Sequence, residues 1–280
     1  MSGVAVRAIG LLTGWGRGVT ALPPDARRAA EGRGVIALSP APRTSDRLRR
    51  ATRECLLAVD AVDALLADGD LARGDIAGAG TALVYVTAAA YGASNRAFVE
   101  GGGGALHFPY TAPSAVPAEV AIEFGLHGPY AVLIGGAAAT IDAIDHASAL
   151  LARGACERAI VLAVETFADC ADLLARGGVT GDSPLVEAAC AVLLVGSTTA
   201  DPDPGGGLGG SASCPPDSNS IGAPPNSNTA DKTGDPTPGE TLSCGPLIAL
   251  ARARATGVDP VEISGRWRGR ETTTTVGVAS

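Results

Sequence analysis

The sequence predicts an α/β fold, a sheet covered by helices on its faces, and three observations carry that prediction. Short runs of β-branched and small apolar residues alternate with longer segments of helical periodicity. Clusters of Gly and Pro punctuate the alternation. With 46% of its 280 residues apolar, the chain has ample material for a buried core.

The elements follow in order. Val4 to Leu12 is a β-prone run ended by the turn cluster Thr13-Gly14-Trp15-Gly16. From Asp46 to Leu66 the residues Leu48, Ala51, Cys55, Leu56, Val59, Val62 and Leu65 recur at helical spacing, with Ser45 or Asp46 as N-cap. The opposite face of that helix carries Arg47, Arg50, Arg53 and Glu54, which reads as a solvated face or as a docking surface for an acidic partner. A buried strand at 78–86, a small-residue helix at 88–100 and a Gly101 to Gly104 turn come next. A helix at 114–124 leads through Gly128-Pro129 to a strand, Tyr130 to Ile134. After Gly135-Gly136 a long helix runs from about Ala138 to Arg153, with Ile141, Ile144, Ala147 and Leu151 on one face. A strand at 159–164, a short helix at 168–175 and a strand at 187–195 complete this block.

Three units are therefore expected: a block at 1–197, a linker at 198–240, and a tail at 241–280. The linker is rich in Pro, Gly, Ser, Asn and Asp, a composition that cannot bury enough surface to offset its ordering entropy. The tail reads as a helix at 242–255 and a strand hairpin turned by Gly269. It is too small to fold alone and should pack back on the first block.

Composition excludes several function classes. A formal charge of −8 argues against a nucleic-acid surface, whose affinity comes from clustered Lys and Arg. The start carries a single Arg7 and no small-residue cleavage site, and no apolar run approaches the roughly 20 residues that span a bilayer. A cytoplasmic protein with no membrane partner is expected. The six cysteines, Cys55, Cys156, Cys170, Cys190, Cys214 and Cys244, have no paired metal-ligand spacing and read as small apolar fillers. No metal or cofactor is expected.

The segment from His107-Phe108-Pro109-Tyr110 through Ala118-Glu119-Val120-Ala121-Ile122, with Phe124-Gly125-Leu126-His127-Gly128-Pro129, resembles the stretch before the nucleophile of β-ketoacyl synthases. Thr44 to Ala51, Thr81 to Gly92, Ile141 to Arg153 and Ala159 to Glu165 resemble further family segments in the same order. The likeness covers 3–196 and, more loosely, 242–279. It implies a thiolase-like, ketosynthase-like fold with a truncated second half. In a working ketosynthase a cysteine opens the helix after the Gly-Pro strand, where the helix N-terminus favours the thiolate. Here that position, within Gly135-Gly136-Ala137-Ala138-Ala139, holds Ala137, and a methyl group is no nucleophile. The family also needs two histidines from its C-terminal half, whereas His107, His127 and His146 all precede the middle of this chain or sit close to it. Cys170 and Cys190 have no neighbouring His in the sequence to act as base.

The resemblance thus points to a chain length factor, the catalytically inactive partner of an active ketosynthase in type II polyketide systems. The shortened second half looks more like the truncated factors of aryl polyene and highly reducing polyene systems. The implied partners are a ketosynthase, in a heterodimer, and an acyl carrier protein holding the growing chain. The family places the chain-facing wall on the pocket helix and following loop, so Tyr91, Asn95, Phe98 and Tyr110 are gate candidates, with core filling as the alternative for each. The dimer surface is implied at Tyr130, Val132, Ile134 and Ala137, and carrier docking at Arg47, Arg50 and Arg53. Two other readings remain: a malonyl-carrier decarboxylase generating starter units, whose relatives keep the missing histidines, and a structural scaffold that docks carrier protein without shaping a pocket.

Overall fold

Alternating small and branched apolar residues let the central strands be buried on both faces, which is what a sheet sandwiched between helices requires. The computed structural model describes residues 3–43, 47–48, 51–101, 104–105, 108–176, 183–196 and 239–278. In chain order its elements are β1 (Val4–Thr13), β2 (Gly16–Arg17), α1 (Ala26–Ala30), β3 (Val35–Ile36), α2 (Arg53–Asp68), α3 (Arg73–Ile76), β4 (Thr81–Thr87), α4 (Ala90–Glu100) and α5 (Ala115–Phe124). There follow β5 (Tyr130–Ile134), α6 (Ala137–Ala152), β6 (Arg158–Glu165), α7 (Ala171–Arg176), β7 (Leu185–Val186), β8 (Ala188–Gly196), α8 (Gly245–Ala255), β9 (Val261–Trp267) and β10 (Arg270–Val278).

The main sheet runs β5-β4-β6-β8-β1-β10-β9, with β2 paired to β1. β4 is parallel to β5 and β6, while β8 is antiparallel to both β6 and β1. One face buries Leu83, Tyr85, Ile160, Leu162 and Leu193 against α2 and α5. The other buries Val84, Val86, Val161, Val192 and Leu194 against α6 and α8. Gly10 is needed where β1 meets α2, because a Cβ there would lie 2.0 Å from the Ala61 carbonyl oxygen.

The tail joins this sheet. β10 pairs in parallel with β1, Ala5 opposite Gly277 and Val6 opposite Val278, and in antiparallel with β9. The hairpin turns at Arg268 (φ 48°) and Gly269 (φ 83°), the left-handed region that a hairpin of this hand uses. Leu247, Ile248, Leu250 and Ala251 of α8 share a core with Ile141, Ile144 and Ala147 of α6.

Several expectations need correction. The helix expected from Asp46 begins at Arg53, because Thr52 takes an extended backbone in the N-cap position. Ser45, Asp46 and Arg50 lie outside the described residues, and Arg47 and Leu48 form a turn before the helix. Its supposed solvated face is partly interior: Glu54 is 3% exposed and Arg53 reaches across to Glu187. The strand expected at 187–195 is present as β8, one residue later because Glu187 turns inward, and a separate short strand, Leu185–Val186, precedes it and pairs with β3. Residues 198–238 of the expected linker lie outside the described residues, but Glu240 exchanges backbone hydrogen bonds of 2.9 Å with Pro184 and Val186. The short elements α1, α3, β2 and β3 carry no periodic signal long enough to read.

Candidate functional site

The site is built where β5 hands over to α6. Gly136 occupies the N-cap position (φ −85°, ψ −147°), and Ala137 is the first residue of a 16-residue helix. Backbone N–H groups at such a terminus have no intrahelical partner and carry the positive end of the helix dipole. A thiol placed there would be activated; the methyl of Ala137 leaves that field without a group to act on.

The C-terminal hairpin lies along this end of α6. A Cβ on Gly136 would fall 2.2 Å from the Trp267 ring, so the indole rests directly on the Gly136 backbone. A Cβ on Gly265, two residues earlier on the same strand, would fall 2.3 Å from the Ala137 carbonyl oxygen. The Thr272 hydroxyl donates to the Ala138 carbonyl at 3.4 Å. Further along, Arg270 makes a two-pronged pair with Asp142 at 2.6 and 2.8 Å, and the Thr274 hydroxyl donates to Asp145 at 2.7 Å. Trp267 also packs on a small cluster formed by Ala89, Phe167, Leu185 and Leu242, with Ala88 at its margin.

Two buried carboxylates hold the surrounding loops. Glu165, at the end of β6, accepts from the Ala88 N–H (2.6 Å), the Ala89 N–H (2.9 Å), the Ser243 N–H (3.3 Å) and the Ser243 hydroxyl (2.5 Å). It thereby ties the β4–α4 junction to the start of the C-terminal segment. Ser243 is also tied to α6, since its carbonyl accepts from the Thr140 hydroxyl at 2.6 Å. Complete burial pushes the Glu165 carboxyl up to about 7 against the pull of these donors. Glu187 accepts from the N–H groups of Leu38 (2.6 Å), Phe167 and Ala168 (both 2.8 Å) and pairs with the Arg53 guanidinium.

No described thiol is poised as a nucleophile. Burial pushes Cys55 up to about 12 and Cys170 up to about 11, and it raises Cys244 well above its ordinary value. Cys190 is fully buried on β8. His127 and His146 are exposed, and His107 lies outside the described residues. His146 stands nine residues along α6 from Ala137, roughly 13 Å at the helical rise.

Among the gate candidates, Tyr91 and Asn95 are half-buried on α4. Phe98 meets Phe108 with ring centroids 5.8 Å apart and planes tilted by 59°. The Tyr110 hydroxyl donates to Glu119 at 3.2 Å, which anchors the ring against α5. The implied dimer strand β5 has no partner on its outer side among the described residues, and it leaves Tyr130 49% and Ile134 51% exposed. Val132, between them, packs on the α2–α5 core, and Ala137 lies under the hairpin instead of on that edge. Of the arginines, Arg47 is paired with Glu119 and Glu123, and Arg53 with Glu187. The sequence did not single out Trp267, Gly265 or Glu187; a Trp flanked by arginines in a chain with two Trp was the one available signal.

Comparison with known proteins agrees with this fold. Residues 41–178 match the family model of the β-ketoacyl synthase N-terminal domain. No curated protein sequence matches the chain. Among solved structures, the chain is similar to the ishigamide ketosynthase/chain length factor, with 18% identity and a TM-score of 0.58 over 71% of this chain and 64% of that one. It is similar to a type II polyketide synthase acyl-carrier protein in complex with its ketosynthase bound to the hexaketide, at 19% identity and a TM-score of 0.56, covering 70% of this chain and 63% of that chain. A β-ketoacyl synthase from Burkholderia phymatum STM815 gives 16% identity and a TM-score of 0.54, over 70% and 60% of the two chains. The fold is the thiolase-like ketosynthase fold, a mixed sheet with helices on both faces. The chain spans less than two thirds of the length of these structures.

Proposed function

We propose that the chain is a non-catalytic ketosynthase-like subunit, a chain length factor, that pairs with an active ketosynthase and shapes the pocket for the extending acyl chain in a type II polyketide system of polyene type. The observation that carries this reading is Ala137 at the first residue of α6, where the family resemblance requires a thiol. The lack of any histidine after His146 in this sequence supports it, because the family takes its two imidazoles from the C-terminal half. The edge of β5, unpaired among the described residues, supports a heterodimer, since an exposed strand edge with apolar side chains is a template for pairing with a second chain. The partners are then a ketosynthase and an acyl carrier protein bearing the growing chain, in the cytoplasm; among the described residues no helix is long and apolar enough to cross a membrane. Carrier docking through Arg47 or Arg53 would have to break their pairs with Glu119, Glu123 and Glu187, which favours the pocket role over the scaffold role.

Co-expression with a type II ketosynthase, followed by copurification and product analysis, tests the reading. A stable complex that makes polyketide, alongside a chain that forms no carbon–carbon bond by itself, is expected. An acyl-enzyme or a condensation product from the chain alone would overturn it.

A further inference from the structure

The absence of a thiol is one barrier to chemistry at the start of α6, and the hairpin supplies a second. The Trp267 indole lies on Gly136, the residue just before the helix, closely enough that a single methyl on Gly136 would meet three ring carbons at 2.2, 2.5 and 2.9 Å. The adjacent turn of the helix is covered by Gly265 against the Ala137 carbonyl and by the Thr272 hydroxyl on the Ala138 carbonyl. The Arg268 guanidinium stands 5.6 Å from the indole centroid, within the range of cation–π attraction, and so favours this ring position. The Arg270 to Asp142 pair and the Thr274 to Asp145 hydrogen bond fix the hairpin along α6. Nothing in this set depends on the side chain at 137.

From these contacts we infer that Trp267 bars thiol-reactive ligands, acyl thioesters included, from the N-terminal end of α6, so that this position stays inert even when a cysteine is restored. The inference rests on reading position 137 as the nucleophile position.

The test uses the full chain with Ala137→Cys, alone and combined with Trp267→Ala, treated with iodoacetamide. The thiolate forms a C–S bond as iodide leaves and the thiol proton passes to buffer. The rate is read by mass spectrometry on the peptide carrying position 137, with the fully buried Cys190 and Cys244 as internal standards for an intact fold. Ala137 itself keeps partial exposure, so the contrast between variants is the measurement that decides. Slow labelling in the single variant and labelling at least about tenfold faster in the double variant is expected, a change equivalent to ~1.4 kcal/mol of opening. Equal rates in the two would overturn the inference. Trp267→Leu, which keeps an apolar side chain on the hairpin, carries the comparison if the alanine variant also exposes the standards. Because the readout involves no partner or product, failure of the pairing reading leaves this result standing, and equal rates here leave the pairing reading untouched.

Discussion

Gly136→Ala should destabilise the protein through Trp267 and through little else. The added methyl would sit 2.2 Å from the nearest ring carbon, whereas carbons at rest are ~3.5–4.0 Å apart, so the indole or the whole hairpin must retreat by more than about 1 Å. Overpacking of this kind costs ~1–3 kcal/mol. For a chain of this size each kcal/mol lowers the melting temperature by ~2–4 °C, which puts the expected fall at about 4–8 °C for a mid-range cost. The assay is a double-mutant cycle with Trp267→Ala, read by urea or thermal unfolding. With the ring removed the methyl has room, so Gly136→Ala should become nearly silent and the coupling should approach the full cost of the single variant. Any effect of the methyl on the N-cap backbone is present in both arms and cancels. Additive costs, within about 0.5 kcal/mol, would refute the docking of the hairpin on this helix end.

Three further outcomes are expected. Glu165 has its folded-state carboxyl raised by burial to about 7 from an ordinary 4.5, so its stabilising contribution is full below pH 4.5 and is lost as the pH rises through 7; Glu165→Gln should abolish that part of the pH dependence in unfolding curves, at most about 3 kcal/mol, and an unchanged profile would count against the burial argument. In the proposed complex with a ketosynthase, Phe98→Ala or Tyr91→Ala should lengthen or broaden the products, and unchanged product lengths across alanine variants of Tyr91, Asn95, Phe98 and Tyr110 would remove the gating assignment. Tyr130→Asp with Ile134→Lys should abolish copurification with the partner while moving the melting temperature of the chain alone by little, because both side chains are about half exposed; retained copurification would place the interface elsewhere.

Local spacing by itself makes much of the chain readable. The strand at Tyr130–Ile134 has the bounds expected from sequence, and α6 and β6 begin within one residue of expectation, because apolar repeats at two and at three to four residues are local records of which face is buried. The identity of residue 137 and the positions of the histidines are likewise matters of sequence alone.

What tertiary structure decided is which distant residues meet. The spacing of Arg53 and Glu54 suits a solvated helix face, yet packing buries Glu54 and brings Arg53 to Glu187, where a charge out of water is tolerated because it is paired and hydrogen-bonded. Composition and length imply that the hairpin strands pack back on the first block, but they do not specify that β10 extends the sheet beside β1 or that Trp267 rests on Gly136. Periodicity specifies a buried face without naming what covers it. The partner is selected by the fit of side-chain volumes and backbone approach across the whole core, and here the missing Cβ atoms at Gly136 and Gly265 permit the close approach of hairpin and helix.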